Sequence, residues 1–200
     1  MGKPARSPRI FWFSNTPAAP TGYGTQTAQV VKRLKKRGHD VAIAANYGQQ
    51  LGMGKWHGVP VYPQGFDGHS QDVIASHWQH FVAQSDEPAA MVTLYDVWVL
   101  KNPALAQVPN ILSWTPVDHM NVVPAVREWL VKPNVTPVAM SRHGKAAMER
   151  AGIACEYVPH ALEAHWKPTP SDDPWPGRFV VTIPNANKGV LPSRKAWGEN

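Results

Sequence analysis

Three short stretches of this 200-residue chain bring together residue types that can do chemistry. The first is Thr21-Gly22-Tyr23-Gly24-Thr25, placed between an apolar run and a helical pattern. Glycines there let backbone approach a ligand, and unpaired N–H groups at a helix start attract phosphate or carboxylate. A tight turn with no ligand would use the same residues. The second is Trp114-Thr115-Pro116-Val117-Asp118-His119, where a carboxylate and an imidazole stand side by side. Such a pair can place a general base or hydrogen-bond sugar hydroxyls. An Asp capping the next turn beside a surface His explains it equally well. Tyr95-Asp96 ends a third apolar run in the same way.

Other chemistries find less support. A dinucleotide site wants G-x-G-x-x-G and an acidic residue after the second strand. Here Thr27 replaces the third glycine, and Ala44-Ala45-Asn46-Tyr47 offers no carboxylate. The nine His lack metal-ligand spacing; His77 and His80 share a helix face, but no carboxylate pair joins them. No G-x-S-x-G elbow occurs, and the one cysteine, Cys155, has no evident His partner.

The elements that must position these residues follow from periodicity. Runs 9–14, 40–45, 90–95, 110–114, 136–140 and 156–159 read as strands. Segments 25–37, 70–85, 124–131 and 141–151 read as helices, with Gly38 and Gly152 as stops. Gly58-Val59-Pro60-Val61-Tyr62 suggests a short edge strand. Strand, loop, helix and strand within the first forty-five residues imply a parallel βαβ unit. The expected fold is therefore α/β, a Rossmann-like parallel sheet with helices on both faces. In such sheets ligands sit outside the carboxyl ends of the strands, where Gly22, Tyr23, Gly24, Asp118 and His119 all fall.

Composition sets the outer bounds. With 43% hydrophobic residues and nine Trp the chain can bury a core, which argues against disorder. Eight of the twenty Lys and Arg fall in residues 1–40 against a single acid, Asp40, so this segment holds the whole surplus behind the net charge of +6. Most of it is Lys32-Arg33-Leu34-Lys35-Lys36-Arg37, where cations complement a helix C-terminus. A nucleic-acid patch is the alternative reading of that block. The apolar run Ile10–Phe13 is too short for a signal-peptide core, and no stretch reaches the length of a membrane span. With a lone cysteine, this points to the cytoplasm. Oligomeric state has no sequence signal.

Taken together, these segments resemble a known family. Gly22-Tyr23-Gly24, then a helix ending in Lys35-Lys36-Arg37-Gly38-His39-Asp40-Val41, is similar to the opening of retaining GT-B glycosyltransferases of the family 4 type. Thr136-Pro137-Val138-Ala139-Met140-Ser141, followed by a helix and Gly152-Ile153, resembles a later segment of that family. Val158-Pro159-His160-Ala161-Leu162-Glu163 through Pro168 resembles the passage that closes its first domain, with Ala161 for the usual Gly and Glu163 for the usual Asp. Asn187-Lys188-Gly189 resembles the start of its second domain, without the Arg that often stands about five residues earlier.

The resemblance implies an N-terminal, acceptor-side domain over 1–166, a linker over 167–177, and the first strand and helix start of a donor-binding domain over 178–200. It implies transfer of a hexose from a nucleotide-sugar to an acceptor, with no metal and no cofactor beyond the donor substrate. Gly22, Tyr23 and Gly24 would lie beside the donor, Asp118 or His119 on the acceptor side, and Lys188 at the diphosphate. The family's donor-gripping glutamates would fall past residue 200, so the 200-residue polypeptide alone is expected to be inactive. A binding module for nucleic acid or protein that uses the basic helix is the competing class. A sugar-nucleotide epimerase of the same architecture is a third.

Overall fold

A strand with no polar alternation must be covered on both faces, and Arg9–Ser14 (β1) is buried at all six positions. In the computed structural model, which describes residues 7–48, 52–160, 162–163 and 177–179, β1 is the central strand of the sheet. Around it lie β2 (Val41–Ala45), β3 (Gly54–Trp56), β4 (Val59–Tyr62), β5 (Ala89–Leu94), β6 (Ile111–Thr115), β7 (Val135–Ala139) and β8 (Glu156–Tyr157). Their order is β3-β4-β2-β1-β5-β6-β7-β8. Every neighbouring pair is parallel except β3 and β4. The expected Rossmann-like α/β sheet is what the chain forms.

Helix α1 (Gly22–Lys36) packs Val30, Val31 and Leu34 on one face of the sheet. Helices α2 (Gln71–Val82), α3 (Pro124–Leu130) and α4 (Arg142–Arg150) cover the other. Among the described residues, past α1 its face stays open over β5 to β7, leaving an apolar groove of about 300 Å³ between Leu34 and Leu112.

The helix ends follow local chemistry. Thr21 caps α1, its Oγ1 accepting from Gly24 N at 3.0 Å. Gly38, at φ 89°, closes the helix, with Gly38 N bonded to Lys35 O and His39 N to Leu34 O. That pairing satisfies carbonyls the helix leaves free. Ser141 and Gly152 (φ 70°) repeat the arrangement around α4.

Two expectations need correction. Gly22, Tyr23 and Gly24 form the first turn of α1 instead of a loop ahead of it, because Thr21 caps the helix and starts it three residues before the expected Thr25. Strand β4 is not at the edge: β3, which the periodicity does not reveal, pairs with it through a hairpin at His57 and Gly58. Both residues have positive φ, 47° and 76°, the conformation a two-residue hairpin turn needs.

The chain divides into two compact units, Met1–Glu163 and Ala164–Asn200. The linker expected over 167–177 and the strand and helix start expected over 178–200, Lys188 included, lie outside the described residues except for 177–179.

Candidate functional site

Among the parallel strands alone, the chain winds outward from β1 through β2 to β4, then returns to β5 and winds the other way. The loops after β1 and β5 thus diverge at a topological switch point, where open α/β sheets form ligand crevices. A polar scaffold fixes the strand ends there. Buried Ser14 donates to Leu94 O at 2.9 Å, and Thr115 donates to Tyr95 O at 2.9 Å. Ser113 joins Thr93 Oγ1 at 3.2 Å and accepts from Trp129 Nε1 at 2.9 Å. Across the ends of β1 and β2, Ser70 Oγ meets Asn46 at 3.3 Å, Asn46 donates to Asn15 at 3.3 Å, and Asn15 donates to Thr21 Oγ1 at 2.9 Å. The start of α1 is therefore tied to two neighbouring loops.

The three residues of the glycine motif play different parts. A Cβ on Gly24 would lie 2.3 Å from Ala19 O and 2.9 Å from Thr16 O, so Gly24 lets the 16–21 loop fold against the helix. A Cβ on Gly22 would meet nothing within 4 Å. Gly24 N is taken by Thr21, while the amides of Gly22 and Tyr23 have no hydrogen bond among the described residues. Tyr23 faces acid: burial, the charge of Asp96, a hydrogen bond to that carboxylate and the charge of Asp118 all hold its phenol protonated well above the usual range. Tyr23, Asp96 and Asp118, from three separate stretches of sequence, thus act on one another.

Asp118 sits between two cavities. One, of about 190 Å³, is lined by Asp96, Trp98, Asp118, His119 and Asn121 among others. The other, of about 400 Å³, adds Ser141, His143 and His160. His119 Nδ1 lies 2.9 Å from Asp118 Oδ1, with both side chains largely exposed, a pair worth only about 0–1 kcal/mol. The segment carrying them is held from α4, where His143 Nε2 donates to His119 O at 3.1 Å and Arg150 donates to Met120 O at 2.8 Å. Burial pulls the His160 pKa below 6.5, and its ring packs edge-on against Trp114 at 5.2 Å.

No family model, curated protein or solved structure matches this chain.

Tyr23, Asp118 and His119 fall in one neighbourhood, Gly22 borders open space, and Gly24 serves packing. The sequence marks Asp96, like Asp118, as an acid at a strand end but assigns only Asp118 a role, and it does not single out Trp98, Asn121, His143 or His160 for the site. Asp96 and Asn121 carried a usable signal, since each follows closely on a strand. His77 and His80 serve the α2 packing instead: the rings of Tyr62 and His77 are 5.1 Å apart, and His80 Nδ1 lies 2.8 Å from Tyr62 Oη. Among the described residues no group of three His, Cys, Asp or Glu is placed to hold a metal ion. Burial raises the Cys155 thiol pKa, the wrong direction for a nucleophile. Among the described residues no helix is long and apolar enough to cross a membrane.

Charge is segregated along α1. Lys32, Arg33, Lys35, Lys36 and Arg37 are exposed at its C-terminal end, about 15–23 Å from Gly22 at 1.5 Å per residue. Among the described residues no Lys or Arg lines either cavity beside Asp118.

Proposed function

We propose that this chain is the acceptor-side half of a retaining GT-B glycosyltransferase that moves a hexose from a nucleotide-sugar to an acceptor hydroxyl. The observation that carries the reading is the convergence of Tyr23, Asp96 and Asp118 at the switch point of a doubly wound sheet. In this reading Gly22 and Tyr23 border the transferred sugar, and their unpaired amide N–H groups donate to its oxygens. Asp118 takes hydrogen bonds from the acceptor, and with His119 it draws the proton from the attacking hydroxyl. Lys188 would neutralise the donor diphosphate. No metal is required, and the setting is the cytoplasm.

An apolar rim supports a crevice that works against a second body. Tyr47, Phe66, Trp98 and Met120, one from each loop after β2, β4, β5 and β6, are more than half exposed. Catalysis of this kind depends on orienting donor against acceptor, worth roughly 7–11 kcal/mol of barrier. A crevice closing on a donor-binding half suits that demand.

A second reading rests on the exposed basic end of α1: a binding module for nucleic acid, with the crevice idle. Calorimetric titration separates the two. The transferase reading expects saturable binding of at least one nucleotide-sugar. The module reading expects no nucleotide-sugar binding, and duplex DNA binding whose log affinity falls with log salt at a slope of roughly −4 to −5 for five phosphate contacts. The second pattern would overturn the transferase assignment.

A further inference from the structure

We infer that the acceptor taken by this crevice is a neutral polyol, a sugar or sugar alcohol, and that phosphorylated acceptors are excluded. The inference rests on the transferase reading above and narrows it.

Two carboxylates on separate loops, Asp96 after β5 and Asp118 after β6, line the same cavity. Among the described residues neither that cavity nor its neighbour has a Lys or Arg in its wall. A carboxylate only accepts hydrogen bonds, so it pairs with groups that donate. Sugar hydroxyls donate; a phosphate at neutral pH brings acceptors and negative charge to a wall that already carries both. The other lining groups fit the same ligand. Trp98 is 54% exposed and offers a flat apolar surface for the C–H face of a pyranose. Asn121 can both donate and accept, as a polyol requires. Tyr23 adds no charge, because its phenol stays protonated.

The basic composition of the chain suggests the opposite preference, for an anionic acceptor. The geometry separates that charge from the site, since the five cations stand at the far end of α1. At about 15–23 Å from Gly22 along the helix they lie one and a half to two Debye lengths away in 0.1 M salt and are largely screened from the crevice.

The test uses the ¹⁵N-labelled 200-residue chain and two matched probe series: methyl hexopyranosides of glucose, galactose and mannose, and the 6-phosphates of the same hexoses. Amide shifts of Asp96, Asp118 and Asn121 and the indole shift of Trp98 report binding, including weak binding. At least one neutral hexoside is expected to saturate these shifts, with its 6-phosphate at least tenfold weaker. Asp118→Asn is expected to weaken the neutral ligand about tenfold and to narrow the gap between the series. Equal or tighter binding of the 6-phosphates, or no shift in the crevice from either series, would overturn the inference. A nucleotide-sugar footprint that persists alongside phosphate preference sinks only the acceptor class. Loss of nucleotide-sugar binding sinks the transferase reading itself.

Discussion

Exchanging either glycine of the Gly22-Tyr23-Gly24 turn for alanine is expected to change stability in opposite directions. Neither glycine has a positive φ, so backbone strain favours neither. At Gly24 the new Cβ would stand 2.3 Å from Ala19 O and 2.9 Å from Thr16 O. Both obstacles are backbone, so the loop or the helix must shift by about 1 Å to restore van der Waals contact. Overpacking of this kind costs about 1–3 kcal/mol, and replacing a helical glycine returns up to about 1 kcal/mol. Gly24→Ala should thus lose about 1–2 kcal/mol net, or several degrees of melting temperature in a chain of this size. Gly22→Ala meets no atom within 4 Å and should gain about 0.4–1 kcal/mol by restricting the unfolded chain. Urea denaturation with unchanged m-values reads both. A Gly24→Ala variant as stable as the parent would refute the packing role given to that glycine.

Three further outcomes follow from individual contacts. Ser113→Ala removes the partner of Trp129 Nε1 and of Thr93 Oγ1, and should cost about 1–3 kcal/mol by urea unfolding; a neutral result would deny the buried relay any structural weight. Burial lowers the pKa of His77 and His160 below 6.5, so below pH 6.5 the unfolded chain takes up protons the folded chain refuses. Stability should then fall with falling pH, and His77→Gln should flatten the fall; an unchanged slope contradicts the burial argument. Tyr23 is raised well above 10, so its contribution is intact below pH 10 and is lost as pH climbs toward the folded-state value. Alkaline absorbance titration of Tyr23→Phe should lose one late-titrating phenol, and loss of an early one instead would place Tyr23 away from Asp96.

How much was legible varies by residue. The parallel strands were readable because burial on both faces demands continuous apolar runs such as Arg9–Ser14 and Val41–Ala45. Strand β3 was hidden, since Gly54-Lys55-Trp56 has no apolar period and its turn uses His57-Gly58 in place of the usual Asn-Gly. The start of α1 was misplaced for a similar reason: Gly22 and Gly24 look like loop, and only Thr21 capping Gly24 makes them helix. In the site, Asp96 and Asp118 were visible as acids after strands, but their shared action on Tyr23 depends on strand order, which periodicity does not encode. His143 and His160 reach the same place through α4 and β8, which are distant in sequence from β6.

The central claim, that the β1–β5 switch-point crevice is where a nucleotide-sugar meets this domain, is tested most directly by chemical-shift mapping of the labelled chain with a panel of nucleotide-sugars. The expected footprint covers Gly22 and Tyr23 and leaves Lys32–Arg37 unmoved. Saturable shifts confined to Lys32–Arg37, or none in the crevice with any member of the panel, would contradict it.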